Sequence, residues 1–330
     1  MKTVGILGAG AWGTALACVA RRAGLDVTLW AHEPEVVDSI NTNQLNHLYL
    51  PDVPLEPGIV ATGSIAAAID ADAVLVVTPA QFLRAVTRQC ADTWRRGTPV
   101  VLCSKGIERD TLLMMNDVAA ETLPDAPVAV LSGPTFAAEV ARGLPAAATL
   151  AIADPDLQVQ LTDALSTSHF RLYRSDDVAG AEVGGVVKNV LAIACGISEG
   201  RGLGDNARAA LITRGLAEIV RLGRAKGGKT ETFMGLSGLG DLTLTCNAMQ
   251  SRNFSLGVAL GKGEALRDIM NNRLSVAEGV FSAEGLIQLA RNLNIEMPIC
   301  EAVDAVLNHD ADIDSTIAGL LSRSPKIEAL

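Results

Sequence analysis

The 330-residue chain is poor in aromatic residues, with Phe, Trp and Tyr together making 3% of it. So few rings exclude a platform on which nucleic-acid bases stack. Positive charge is also short: 27 Lys and Arg stand against 37 Asp and Glu, a formal net charge of −10. That balance argues against a broad basic surface, so no nucleic-acid partner is expected. Cys18, Cys90, Cys103, Cys195, Cys246 and Cys300 are scattered, there is no CxxC or HExxH, and there are four His. These absences predict neither a disulfide framework nor a metal site, and the free thiols fit a reducing cytoplasm. No uninterrupted apolar run approaches the ~18 residues that span a bilayer, so no membrane insertion is expected. Lys2 and the apolar stretch to Cys18 resemble a secretory leader. Gly5, Gly8, Gly10 and Gly13 would break a leader helix, however.

What the chain has is small apolar residues. Hydrophobic residues make 49% of it, with 49 Ala and 31 Gly, enough for a large core and for close backbone approach. The length suggests two domains. In the first half, short β-branched runs alternate with amphipathic stretches. The runs are Thr3–Leu7, Asp26–Trp30, Ala73–Val77, Pro99–Cys103 and Val128–Leu131, with weaker ones at Ala146–Ile152 and Phe170–Tyr173. Such apolar runs read as parallel strands buried on both faces. After about residue 180 the strand signal stops. Helical patterns follow at Glu182–Ser198 and Asn206–Lys226, and near 252–260, 281–292, 298–308 and 313–322. The reading is α/β: an N-terminal Rossmann-like, doubly wound, mostly parallel sheet over residues 1–180, then an all-α C-terminal domain over 181–330.

Behind the first strand lies Gly8-Ala9-Gly10-Ala11-Trp12-Gly13, a G-x-G-x-x-G that opens a helix. Gly8 permits the turn, Gly10 admits a pyrophosphate to the backbone, and Gly13 lets helix pack on strand. The helix start offers N–H groups and partial positive charge to the phosphates. This predicts dinucleotide binding. The second strand ends at Trp30-Ala31-His32-Glu33. Glu33 either accepts from a ribose or begins the next helix. His32 either faces a 2′-phosphate or sits on the surface. NADPH is expected to be accepted, with NADH as the alternative. Three more loops follow strands: Thr78-Pro79-Ala80, Ser104-Lys105-Gly106 and Ser132-Gly133-Pro134-Thr135. Ligands of open α/β sheets gather at such ends, and Lys105, a cation where packing alone has little need of charge, either contacts a ligand or is a solvated loop lysine.

The second half carries candidate chemistry. Lys188 lies among apolar neighbours in Val183–Val190, one turn beyond Gly184. The adjacent Gly184 and Gly185 cost a helix roughly 1–2 kcal/mol relative to Ala, which a purely structural helix has no reason to bear. A desolvated Lys has a lowered pKa and serves as general acid or base near neutrality. The alternative is a lysine whose head reaches solvent. Gly235–Asp241 is a glycine-rich turn that delivers a carboxylate, and Asp241 is placed either to hold Lys188 or to cap a helix. Ser251-Arg252-Asn253 opens another helix. It reads either as a phosphate grip or as a capping Ser beside a surface Arg.

Taken together, these stretches resemble the bacterial-type NAD(P)-dependent sn-glycerol-3-phosphate dehydrogenase family over essentially the whole length. The resemblance is carried by Gly8–Leu16, Leu131–Glu139, Gly184–Asn189, Asn206–Glu218, Gly235–Thr245 and Gln250–Asn253. It implies reduction of dihydroxyacetone phosphate to sn-glycerol 3-phosphate for phospholipid synthesis, with Lys188 moving the proton and Lys105 supporting the developing charge. It implies substrate contacts at Lys105, Gly133, Thr135, Lys188, Asp241, Ser251, Arg252 and Asn253. It implies cofactor contacts at Trp12, His32, Lys105, Ala137, Arg252, Val276 and Glu278, beside the Gly8–Gly13 loop. Ala11 stands where some members carry Ser, so a backbone contact is kept there and a side-chain bond is not. A related two-domain 3-hydroxyacid or 6-phosphogluconate dehydrogenase is the enzymatic rival, and a nucleotide sensor without turnover the non-enzymatic one. A homodimer is expected by base rate.

Overall fold

The computed structural model describes residues 1–271 and 278–324. The chain forms two compact units, 1–104 with 114–178, and 105–113 with 179–330. Residues 105–113, which lie inside the interval expected to be a sheet domain, belong with the helical unit.

The first unit holds β1 (Thr3–Leu7), β2 (Asp26–Trp30), β3 (Leu45–Asn46), β4 (Leu50–Pro54), β5 (Ile59–Thr62), β6 (Ala73–Val76), β7 (Val100–Leu102), β8 (Val128–Ser132), β9 (Ala146–Ala151) and β10 (Phe170–Ser175). Eight of these form one sheet in the order β10-β9-β8-β7-β6-β1-β2-β5. Neighbours are parallel except at the β8–β9 junction, where Leu131 faces Leu150. The central strands β6 and β7 are buried throughout, because helices cover both faces of such sheets. Edge strand β5 and the small antiparallel pair β3–β4 are absent from the sequence expectation. The first is four residues long with alternate exposure, and β4 carries a proline at each end of Pro51–Pro54. Short, proline-marked segments give a weak strand signal.

The second unit is helical. Helix Val178–Gly200 is buried over most of its circumference and forms the unit's centre. It is the one described helix long and apolar enough to cross a membrane, yet it is mostly buried within the protein. Helix Arg252–Gly261 crosses it at closest approach. A Cβ at Gly196 would lie 2.1 Å from the Phe254 carbonyl oxygen, and one at Gly257 would lie 2.2 Å from that of Ile193. Facing small residues thus let the two backbones touch. Helices Gly204–Ala225, Asp241–Asn247, Glu278–Asn292, Pro298–Asn308 and Ile313–Leu321 complete the main frame. Buried Glu218 accepts N–H bonds from Ile299 (2.7 Å) and Cys300 (3.2 Å) at the start of Pro298–Asn308. That satisfies donors which every helix start leaves open.

Candidate active site

In the first unit, Gly8 sits at φ +119°, a conformation side chains rarely adopt. A Cβ at Gly13 would fall 1.8 Å from the Gly8 carbonyl oxygen, so helix Ala11–Arg22 packs on the turn only through glycine. Gly10 differs. Its backbone is ordinary (φ −65°), and a Cβ there would meet no protein atom within 4 Å. Gly10 is therefore not demanded by packing or conformation. It keeps clear the space in front of a helix start whose N–H groups receive no side-chain cap. That is the cradle a pyrophosphate requires, so the residues present fit a dinucleotide. Ala11 is the first helical residue. Trp12 is half-buried, with its ring centroid 6.5 Å from that of Phe170.

Other residues of this unit fall at the carboxyl ends of strands. The hydroxyls of Thr78, beyond β6, and Ser132, at the end of β8, are buried without a partner among the described residues. Gly133 packs against β9, where a Cβ would meet the Ala148 Cα at 2.8 Å. Thr135 donates to the Gly133 carbonyl at 3.2 Å, and Ala137 begins a short helix. His32 is exposed, its ring 6.3 Å from that of Trp30. Glu33 is the residue before helix Pro34–Asn43, and its carboxylate accepts from the Tyr49 hydroxyl at 2.9 Å. Burial and the neighbouring Glu33 push the Tyr49 phenol up to about 12. Glu33 thus has a partner within the chain.

In the second unit, Lys188 donates to Asp241 Oδ1 at 2.6 Å and to Thr245 Oγ1 at 2.9 Å. Lys105 donates to the other oxygen, Oδ2, also at 2.6 Å. One carboxylate therefore bridges two ammonium groups. The side chains of Lys105, Lys188 and Asp241 are 17%, 9% and 1% exposed. The approach to Lys188 follows from Gly184: a Cβ there would lie 2.3 Å from the Ser237 carbonyl oxygen. Only glycine lets the wide π-helical turn Leu236–Gly240, which leads into Asp241, press against the Lys188 helix. Burial brings the Lys188 pKa down to about 8, Asp241 opposes that fall, and Lys105 adds to it. Burial alone would raise the Asp241 carboxyl, but Lys105 and Lys188 together hold it below the usual range.

The Ser251–Asn253 segment serves its own unit as well. Ser251 caps helix Arg252–Gly261 by accepting the Phe254 N–H at 3.2 Å. Asn253 donates to Asn189 Oδ1 and accepts the Gly279 N–H, both at 3.0 Å. Asn189 Nδ2 is left buried with no partner among the described residues. Arg252 is exposed. Burial raises the Glu278 carboxyl, while Arg252, Lys105 and Lys188 draw it down, which gathers all four charges in one electrostatic neighbourhood. Val276 lies outside the described residues. Thr245 was missed as a site residue. Its spacing of four from Asp241 on one helix is the signal that would have found it.

A dinucleotide cradle on a mostly parallel sheet, with a helical unit that carries a buried lysine poised near neutrality, defines a two-domain nicotinamide-dependent oxidoreductase. Comparison with known proteins narrows this. Residues 3–158 match the model for the N-terminus of NAD-dependent glycerol-3-phosphate dehydrogenase, and residues 177–318 match its C-terminus. The glycerol-3-phosphate dehydrogenase [NAD(P)+] of Parvibaculum lavamentivorans is 56% identical, covering 98% of this chain and 97% of that one. The Rhodospirillum rubrum protein of the same name is 57% identical, over 98% and 93%. The crystal structure of glycerol-3-phosphate dehydrogenase from Coxiella burnetii superposes with a TM-score of 0.93 at 40% identity, covering 98% and 99%. The chain belongs to the NAD-dependent glycerol-3-phosphate dehydrogenase family. It is an oxidoreductase of the NAD(P)-using kind.

Proposed function

We propose that the chain catalyses reversible, NAD(P)H-dependent reduction of dihydroxyacetone phosphate to sn-glycerol 3-phosphate, supplying the glycerol phosphate of phospholipids in the cytoplasm. The observation that carries the reading is Lys188: a buried ammonium, brought to a pKa of about 8 and held by Asp241 and Thr245. When bound, the nicotinamide supplies the hydride that reduces C2. Lys188 has three N–H groups, and the two bonds described leave one for the substrate oxygen at C2. It gives its proton there in reduction and recovers it in oxidation. Lys105, sharing Asp241, keeps the local charge positive and stabilises the developing alkoxide. The phosphate is held by Arg252, by Asn253 with the donor of Asn189, and by the N–H groups behind Ser251.

Gly8, Gly10 and Gly13 with the backbone of Ala11 and Trp12 hold the pyrophosphate. His32, Ala137 and Glu278 contact the cofactor, and Gly133 and Thr135 the substrate. His32 beside a Glu33 already paired with Tyr49 favours acceptance of NADPH, because a carboxylate engaged elsewhere repels a 2′-phosphate less directly. The chain works as a homodimer, which sedimentation would check. The deciding measurement is oxidation of NADPH and NADH with dihydroxyacetone phosphate. Turnover with at least one is expected, and none with either overturns the proposal.

A further inference from the structure

Arg208 has no part in the chemistry proposed above, yet it holds together the segments that carry it. Its guanidinium pairs with Glu199, at the end of the Lys188 helix, and with Asp205. Its Nε donates to Asn247 Oδ1 at 3.1 Å. Asn247 is the last residue of helix Asp241–Asn247, and its own Nδ2 donates to the Thr243 carbonyl at 2.8 Å. A planar guanidinium presents its donors in a fixed fork, so three acceptors on three helices are held at set angles.

The two helices concerned are those that meet at the lysine. Glu199 lies about 16 Å along the helix from Lys188, and Asn247 about 9 Å from Asp241, at 1.5 Å per residue. A helix of seven residues has no stability of its own, so its direction depends on what holds its ends. Helix Asp241–Asn247 is held at its start by the lysines and at its end by Arg208.

We propose that Arg208 is a positioning residue for the reaction: by bracing Glu199 to Asn247 it sets the direction in which the short helix presents Asp241 and Thr245 to Lys188. This rests on Lys188 being the acid–base group. Partly exposed ion pairs contribute little to stability, so a merely structural Arg208 would leave the pH dependence of turnover where it is.

The test is the pH profile of kcat for reduction in Arg208→Ala, Arg208→Lys, Asn247→Ala and Lys188→Met. Arg208→Ala is expected to lower kcat about 10-fold, the scale of a sub-ångström misplacement. KM stays within about twofold, as for a group that binds no substrate. The falling limb moves to lower pH, because a looser Asp241 sustains the Lys188 charge less. Arg208→Lys restores part of kcat. Asn247→Ala, an exposed change that removes only the tie to the helix end, gives a smaller shift in the same direction. A folded Arg208→Ala enzyme with the original kcat and limb overturns the proposal. If Arg208→Ala does not fold, Asn247→Ala decides: a shifted limb upholds the brace and an unmoved one overturns it. Lys188→Met separates the two readings. If it retains turnover, the acid–base assignment falls and the brace with it. If it abolishes turnover while both other variants keep the original limb, only the brace falls.

Discussion

The sheet unit offers its ligand backbone: Gly8, Gly10, Gly13 and the uncapped start of helix Ala11–Arg22. The helical unit offers full charges instead, two ammonium groups on one buried carboxylate. The first arrangement is built from partial charges, so no ion is taken out of water and pH has nothing there to titrate. The second removes three ions from water and is stable only because they face one another. It gains in return a proton that can be given and taken near neutrality. The comparison teaches a division of labour: a backbone cradle that carries no titratable group in one unit, and a buried cluster of charges whose state depends on pH in the other.

The largest effect should come from Lys188→Met. It removes the proton donor we propose and leaves the Gly8–Gly13 turn untouched, so kcat should fall about 10²–10⁴-fold. Dinucleotide affinity, read from the fluorescence of bound reduced nicotinamide, should hold. Near-normal turnover would show the proton to come from elsewhere. Lost dinucleotide binding would break the division between the units.

Asp241→Asn should follow, at about 10²-fold in kcat, the upper scale for a misplaced catalytic group. The carboxylate opposes the fall of the Lys188 pKa, so its loss lets that pKa drop further below 8. The limb of the pH profile then moves to lower pH, and Lys188 is less often protonated at neutrality. A limb that stays in place would show Asp241 to be structural only.

These effects differ in how visible they are in the sequence. The cradle was legible because strand, turn and helix are contiguous, and a G-x-G-x-x-G between an apolar strand and a helix start is the context that suits a pyrophosphate. The lysine site was legible only in pieces. Lys105 and Lys188 stand out as cations in apolar surroundings, but they lie 136 and 53 residues from the carboxylate they share. Nothing local says that one Asp serves both. Thr245 and Arg208 escaped notice because a Thr inside a helix and an Arg among acids are ordinary until the fold brings their partners near. The sheet's outline was clear where strands are buried on both faces, and failed at the edge strand Ile59–Thr62, where half the residues face water.

The wild-type pH profile sharpens the contrast with smaller changes. On the mechanism proposed, reduction needs Lys188 protonated and oxidation the free amine, so kcat for reduction should fall as pH rises through about 8, approaching tenfold per unit beyond. That for oxidation should rise through the same region. Dinucleotide affinity should stay flat across it. Limbs of the same sign in both directions would exclude one group serving both.

The smallest effect, and the finest test of a backbone-built site, separates two glycines three residues apart. Gly13→Ala forces a Cβ onto the Gly8 carbonyl. It should lower stability by about 1–3 kcal/mol, as overpacking does, and weaken dinucleotide binding with it. Gly10→Ala meets no protein atom and keeps an ordinary backbone. Its Tm should stay at the wild-type value, while dinucleotide Kd rises about 10-fold, or some 1.4 kcal/mol. Calorimetry beside a fluorescence titration reads both quantities. If Gly10→Ala bound dinucleotide as the wild type does, the space before the helix start would not be the pyrophosphate's place. If Gly10→Ala instead lost stability as Gly13→Ala does, its glycine would be a packing requirement, and the cradle would rest on Gly8 and Gly13 alone.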